Sequence, residues 1–230
     1  MRILVTGKNG QVGWELVRCL QPLGEVIAVD RSEMDLSNLG GIEATLRNIK
    51  PDVIVNAAAY TAVDKAEENE AEANLINGQV PGVLATEAKR IGALLIHYST
   101  DYVFDGKKNS PYAENDVPKP VNIYGRSKLF GEEVIRDVDA EYIILRTSWV
   151  YGSRGSNFLR TMMKAFQERD ELSIVADQVG APTWARLIAE STAHVIRQSL
   201  LEKREDSFQS GVYHLAAAGE TSWCGFAEAI

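Results

Sequence analysis

The sequence predicts an α/β protein built as a Rossmann-like, doubly wound parallel sheet with a smaller C-terminal subdomain. Three observations carry that expectation. Short apolar runs alternate with stretches of helical periodicity through roughly the first 150 residues, the order that yields a parallel sheet covered on both faces. A glycine turn, Gly7-Lys8-Asn9-Gly10-Gln11-Val12-Gly13, joins the first apolar run to the first helix. Beyond Trp149 the texture changes, so the chain divides into 1–150 and 151–230, with some elements of the second part free to return to the main sheet.

Arg2-Ile3-Leu4-Val5-Thr6 is a short apolar run bounded by glycine, and Val12, Leu16, Val17 and Leu20 recur at helical spacing until Pro22 and Gly24 close the segment. Val26 to Asp30 reads as a second buried strand, a helix follows over about Leu39 to Ile49, and Val53-Ile54-Val55-Asn56 gives a third strand. The stretch from Asp64 to Arg90 is mostly helical, Ala93 to Tyr98 is a strand, Ile123 to Ile135 a helix and Tyr142 to Thr147 a further strand. In the second part we expect a helix near Asn157 to Glu168, a strand at Leu172 to Val175, a helix from about Ala185 to Leu200 and a strand at Val212 to Leu215. Glu202-Lys203-Arg204-Glu205-Asp206 is read as a solvated loop, because mixed charge favours solvation. Ser222 is a candidate cap for a last helix, whose apolar face (Phe226, Ala229, Ile230) is not completed, so a fragment is expected.

Hydrophobic residues make up 45% of the chain and charged residues 24%, with a formal net charge of -8. That balance fits a soluble globular protein and argues against a surface that tracks nucleic-acid phosphates. No run reaches the ~18 uncharged apolar residues of a membrane span, and Met1 leads straight into a strand-like segment. The expected location is therefore cytoplasmic, with neither nucleic acid nor membrane as partner. Cys19 and Cys224 lack ligand spacing and are read as buried small residues; His97, His194 and His214 show no triad or ligand spacing and are read as structural.

The glycine turn lies after a strand and opens a helix, where backbone amides and the positive helix end suit a pyrophosphate. Its spacing is G-x-x-G-x-x-G rather than G-x-G-x-x-G, so Gly7 and Gly10 become cofactor candidates on context more than on pattern. Asp30 ends the second strand, where a carboxylate can hydrogen-bond ribose hydroxyls; the adjacent Arg31 could meet a 2′-phosphate, which leaves NADH and NADPH both open. Asp35 and Leu36 could reach an adenine. Asn56-Ala57-Ala58-Ala59-Tyr60-Thr61 closes the third strand with small residues that either admit a ligand to the backbone or simply pack closely. Thr100 ends the fourth strand, and Tyr124 and Lys128, four apart in a helix, share one face and can address one ligand. Asp101 could orient a sugar hydroxyl or cap the following loop, and Trp149, at the carboxyl edge of the sheet, could pack on a ligand or on the core.

In this order, Gly7-x-x-Gly10-x-x-Gly13, Asn56-Ala57-Ala58, Thr100 and Tyr124-x-x-x-Lys128 resemble the extended short-chain dehydrogenase/reductase family. Gly10-Gln11-Val12-Gly13-Trp14-Glu15-Leu16, Ser99-Thr100-Asp101-Tyr102-Val103-Phe104, Arg146-Thr147-Ser148-Trp149-Val150-Tyr151 and Gly180-Ala181-Pro182-Thr183 are similar to its dTDP-4-dehydrorhamnose reductase branch, along nearly the whole chain. The resemblance implies reduction of the 4-keto group of a dTDP-linked 6-deoxyhexose by NADPH or NADH, giving dTDP-L-rhamnose for cell-surface polysaccharide. It places cofactor contacts at Gly10, Gln11, Val12, Asp30, Asp35, Leu36, Ala59, Tyr60, Thr61 and Tyr98, and substrate contacts at Thr100, Asp101 and Trp149. It makes 151–230 part of a substrate-binding subdomain and the partner a nucleotide sugar. A homodimer is compatible with it, and Glu15 matches a position used for Mg2+ near subunit contacts.

On that reading Thr100, Tyr124 and Lys128 are catalytic: Tyr124 donates a proton to the developing alkoxide, Thr100 holds the carbonyl oxygen, and Lys128 also bonds the nicotinamide ribose. A cation about 4 Å from the phenol favours its ionised form by roughly 4 kcal/mol at an effective dielectric of ~20, so Lys128 is expected to bring Tyr124 toward neutrality. Two other readings stand beside this one. A non-catalytic regulatory subunit resembling that of methionine adenosyltransferase is disfavoured by the intact Thr100, Tyr124 and Lys128. A nucleotide-sugar epimerase or dehydratase shares the motifs, but a dehydratase would usually carry further acid beside the threonine, where Asp101 is followed by Tyr102.

Overall fold

Continuous apolar runs too short for helices form strands buried on both faces, and six of them pair in parallel. The computed structural model describes residues 1–230. In chain order the elements are β1 (Arg2–Thr6), α1 (Gln11–Cys19), β2 (Glu25–Val29), α2 (Leu39–Ile49), β3 (Val53–Asn56), α3 (Val63–Ala66), α4 (Glu70–Asn74), α5 (Val80–Ile91) and β4 (Leu94–Thr100). There follow α6 (Ile123–Asp137), β5 (Tyr142–Thr147), β6 (Val150–Tyr151), α7 (Phe158–Glu168), β7 (Val179–Gly180), β8 (Thr183–Trp184), α8 (Ala185–Arg204), β9 (Gly211–His214), β10 (Thr221–Ser222) and α9 (Trp223–Glu228). The main sheet runs β2-β1-β3-β4-β5-β9; β6 pairs with β8 and β7 with β10 in two small ribbons.

Alternate residues of each strand feed opposite faces. Leu4, Ile54, Leu95 and Ile144 join Leu46 of α2 and Leu84 of α5 in one core. Ile3, Val55, Ile96 and Leu145 join Leu16 of α1 and Ile188 of α8 in the other. Asparagine caps start three of the helices: Asn38, Asn122 and Asn157 accept from the amides of Gly41, Gly125 and Arg160. Ser222, the expected cap of the last helix, accepts from Gly225 at 3.0 Å.

Several expectations need correction. The stretch from Asp64 to Arg90 is mostly helical as expected, with a break at Glu67–Asn69 and a π turn over Leu75–Gln79, whose Asn77 side chain bonds the backbone of Tyr60 in both directions at 2.9 and 3.0 Å. Leu172 to Val175 forms no strand, since no neighbour offers it a ladder; Val175 contributes only a carbonyl to Cys224. The helix expected to stop near Leu200 runs to Arg204 and takes in part of the charged stretch. Cys19 and Cys224 are partly exposed rather than buried. From the second part of the chain, β9 joins the main sheet beside β5 and α8 packs on α1, while α7 and α9 lie outside the sheet.

One ionic pair ties α6 to the sheet. Arg146 of β5 and Glu132 of α6 meet at 2.9 and 2.6 Å, with Glu132 fully buried and Arg146 5% exposed. Glu132→Ala would strand a buried guanidinium and is expected to cost about 3–5 kcal/mol in urea denaturation. The double variant Glu132→Leu/Arg146→Met should lie closer to the parent; an equal loss in both would show that shape, not charge pairing, is what matters there.

Candidate active site

β1 stands between β2 and β3, so successive connections leave it in opposite directions and open a crevice beyond the strands' carboxyl ends. A cleft of about 270 Å³ occupies that position. Gly7, Gly10, Asp30, Asp35, Leu36, Ala59 and Tyr60, all expected at a cofactor site, line it together with Thr6, Asn9, Arg31 and Ala58. The turn at its floor demands glycine twice. Gly7 has φ +69°, and a Cβ there would sit 2.9 Å from the Ala58 backbone; a Cβ on Gly13 would sit 2.1 Å from the Gly7 carbonyl oxygen. Helix α1 therefore starts in direct backbone contact with the turn, its amide end open toward the cleft.

Asp30 is organised by groups that sequence spacing did not single out. Its carboxylate accepts from the Ser32 hydroxyl at 2.7 Å, the Ser32 amide at 2.9 Å and the Asn9 side chain at 2.8 Å, and Lys8 lies 3.6 Å away. The Ser32 bonds hold this carboxyl down to about 2. Lys8 also pairs with Glu33, and Arg31 pairs with Asp35 at 3.7 Å, so both signs of charge border the expected ribose position. Asp35 accepts from the Ser37 amide and hydroxyl, which fixes the loop that carries Leu36.

Farther along the carboxyl edge the structure brings Thr100 and Tyr124 together, while Lys128, on the next turn of the same helix, turns its amine to the backbone of β4. Tyr124, in the first turn of α6, packs with Tyr60 around Ala66, Ala73 and Ile123, and its ring meets Tyr102 edge-on at 5.5 Å. Burial pushes the Tyr124 phenol up to about 12, while hydrogen bonding with the Thr100 hydroxyl acts in the lowering direction. Thr100 itself donates to Asp101 at 3.0 Å and accepts from the Tyr102 amide at 3.2 Å. Burial raises Asp101 to about 6 against its hydrogen bonds from Thr100 and the local backbone. Lys128, 2% exposed, donates to the Tyr98 carbonyl at 2.6 Å and lies 3.4 Å from His97 Nε2; burial lowers it to about 8, with the Glu132 charge opposing. The expectation that Lys128 draws the phenol toward neutrality does not hold in the free protein, because the amine is committed to the sheet and burial dominates at Tyr124.

Other expected residues take different places. The Gln11 amide accepts from Asn157, which ties the glycine turn to α7. Val12 and Ala57 pack on the core beneath α1 and α8, Thr61 is exposed, and the Tyr98 hydroxyl bonds Thr192 of α8 at 2.6 Å, where burial raises it. Trp149 adopts a left-handed backbone (φ 47°), and its ring stacks on Trp223 at 3.5 Å and lies over Gly180. One face of that ring is thus already covered. Glu15 is engaged by Arg186 at 3.4 Å, and no group of three or more His, Cys, Asp or Glu side chains converges within this one chain.

Two outcomes follow from this geometry. Gly13→Ala, which drives a methyl into the Gly7 carbonyl, should weaken NADPH binding by at least about tenfold in a fluorescence titration while the circular dichroism spectrum is kept. Asp101 is raised in the fold, so its neutral form favours folding below pH about 4 and that contribution is lost as pH rises through about 6. Asp101→Asn should flatten the stability profile across that window and raise stability at pH 7; an unchanged slope would remove Asp101 as its source.

A family profile described as "RmlD substrate binding domain" matches residues 1–230. The dTDP-4-dehydrorhamnose reductase of Burkholderia thailandensis is 55% identical over 230 residues, covering 100% of this chain and 77% of its own length. The enzyme of the same name from Escherichia coli K12 is 48% identical with the same coverage. Among solved structures, the Bacillus anthracis dTDP-4-dehydrorhamnose reductase in complex with NADP superposes with a TM-score of 0.91 at 37% identity, over 99% of this chain and 78% of that one. A Clostridium acetobutylicum dTDP-4-dehydrorhamnose reductase gives 0.90 at 39% identity, over the same shares. No helix here is long and apolar enough to cross a membrane. By the profile match and these identities, the chain belongs to the RmlD substrate-binding-domain family of dTDP-4-dehydrorhamnose reductases.

Proposed function

We infer that this protein reduces the 4-keto group of a dTDP-linked 6-deoxyhexose with a nicotinamide cofactor, yielding dTDP-L-rhamnose for polysaccharide synthesis. The observation that carries the reading is the grouping of Thr100 and Tyr124 at the sheet's carboxyl edge beside the dinucleotide cleft, in a chain 55% identical to such a reductase. The reduced nicotinamide supplies hydride to the ketone carbon. Tyr124, held protonated by its surroundings, gives its proton to the oxygen on which negative charge develops. The Thr100 hydroxyl holds that oxygen in line by turning its single hydrogen from Asp101 to the substrate. Lys128 lies one helical turn beyond Tyr124 and supplies the amine that would bond the nicotinamide ribose in this reading.

The cleft carries a carboxylate for ribose hydroxyls at Asp30 and cations for a 2′-phosphate at Lys8 and Arg31. We therefore propose that it accepts NADPH as well as NADH, in keeping with the NADP bound to the Bacillus anthracis relative. No step is assigned to Mg2+.

The test is loss of NADPH absorbance with a dTDP-4-keto-6-deoxyhexose as substrate, because net cofactor oxidation separates a reductase from an epimerase, a dehydratase or a binding subunit. Tyr124→Phe should lower turnover at least about 100-fold and leave NADPH affinity intact; turnover near the parent's would take Tyr124 out of the mechanism. Asp30→Ala should weaken NADH more than NADPH, and equal affinities before and after would count against the ribose assignment.

A further inference from the structure

His97 is a buried titratable side chain beside the expected catalytic lysine that the reaction as described leaves unused. It is 1% exposed and lies in a rung of paired residues, Thr6 on β1, Asn56 on β3 and His97 on β4, the last of which meets α6. The side chains of that rung form a chain of hydrogen bonds. The Ala58 amide donates to Thr6 Oγ1 at 3.1 Å, Thr6 Oγ1 lies 2.7 Å from Asn56 Oδ1, Asn56 Nδ2 lies 3.0 Å from His97 Nδ1, and His97 Nε2 lies 3.4 Å from Lys128 Nζ.

Direction along this chain follows from satisfaction of buried groups. Thr6 Oγ1 already accepts from Ala58, so its own hydrogen needs an acceptor, and the Asn56 oxygen is in place. The Asn56 amide nitrogen must then face His97 and donate to Nδ1. A neutral imidazole whose Nδ1 accepts carries its proton on Nε2, the nitrogen that faces Lys128. The neutral form is the one expected here, since burial and the neighbouring lysine both lower His97. An N–H aimed at Nζ suits an amine lone pair and opposes an ammonium. The remaining charges around Lys128 do little to offset this: Glu132, on its own helix, is taken up by Arg146 of β5, and the Tyr98 carbonyl supplies one acceptor.

We propose that His97 is a positioning residue of the proposed reduction: Thr6 and Asn56 fix its tautomer so that its Nε2–H faces Lys128 and disfavours the ammonium form in the free protein. The chain begins at the Ala58 amide, whose residue lines the nucleotide cleft, so the lysine's protonation is wired to the loop on which the dinucleotide sits. The proposal rests on the reductase reading for its purpose but not for its test.

The experiment is 15N NMR on the whole chain without cofactor. The His97 ring shifts, told apart from the others with His194→Gln and His214→Gln, should report the Nε2–H tautomer; an Nδ1–H ring would overturn the proposal in the unmodified protein. The Lys128 Nζ resonance, identified by its loss in Lys128→Met, should titrate with a proton affinity at least about tenfold below that of the exposed lysines. Asn56→Ala frees the ring to change tautomer and should raise that affinity several-fold, as should His97→Leu if it folds. No change in Asn56→Ala, or a fall in folded His97→Leu, would refute the arrangement. The pH profile of NADPH oxidation should move with the Lys128 midpoint in Asn56→Ala. A parent protein inert toward the keto sugar would sink the reductase reading while leaving the NMR result to stand.

Discussion

A lysine amine enclosed by protein and held by the carbonyl of Tyr98 fixes the relation between α6 and the sheet. An amine so deeply desolvated is expensive to bury without partners, so its 2.6 Å bond to the strand is an obligation rather than an ornament. Holding Lys128 against β4 holds the rest of its helix as well. Tyr124, one turn earlier, is thereby placed over the end of β4, where Thr100 leaves the strand. The Glu132 and Arg146 pair, one turn later, closes the same helix on β5. Three successive turns of α6 thus meet the sheet through polar groups, and the face of α6 toward β4 and β5 is chemical as much as hydrophobic.

The nucleotide end of the site depends on a different constraint, the absence of side chains. With Gly13 pressed on the Gly7 carbonyl and Gly7 pressed on Ala58, turn, helix and β3 loop form one rigid backbone unit. Thr6 stitches β1 to that loop and to Asn56. The two constraints meet in the rung that runs from Thr6 to His97, so the phosphate-binding turn and the catalytic helix are not independent modules set side by side. A ligand seated on the turn touches a hydrogen-bond chain whose far end is the lysine.

Most of the α/β order was legible because strands buried on both faces leave uninterrupted apolar runs, and α2, β3 and β5 fall where periodicity puts them. The failures have particular causes. Leu172 to Val175 has the alternation of a strand, but a strand exists only with a partner, and partners are nonlocal. At the π turn over Leu75–Gln79, Asn77 bonds the Tyr60 backbone and the Ser127 hydroxyl, partners remote in sequence that no local pattern announces. At the site, glycines, Asp30 and the four-residue spacing of Tyr124 and Lys128 could be read directly, since each is a local signal. The companions of Asp30, namely Lys8, Asn9, Ser32 and Glu33, could have been suspected from proximity to the turn, but their roles depend on how β1 and β2 pair. His97 shows no triad or ligand spacing in the sequence; its partners, Asn56 and Lys128, come from two other elements.

Strain and unmet polarity gather where those partners converge. Trp149 sits in a left-handed conformation that costs an L-residue about 1–2 kcal/mol, immediately past β5. Ser99, Arg146, Thr147 and His214, at the carboxyl ends of β4, β5 and β9, each keep one buried polar atom without a protein partner. Burial raises both Asp101 and Tyr124 and pushes Lys128 the other way. At the opposite, amino-terminal edge of the sheet the groups are ordinary: the Arg2 amide donates to Asp52 at 2.6 Å, and the cores on both faces are apolar. A fold selected for stability alone would have no reason to distribute its costs so unevenly. The asymmetry follows if the carboxyl edge is arranged for a charge that appears only during reaction, because groups preorganised for a transient oxyanion are necessarily ill-matched to the protein at rest.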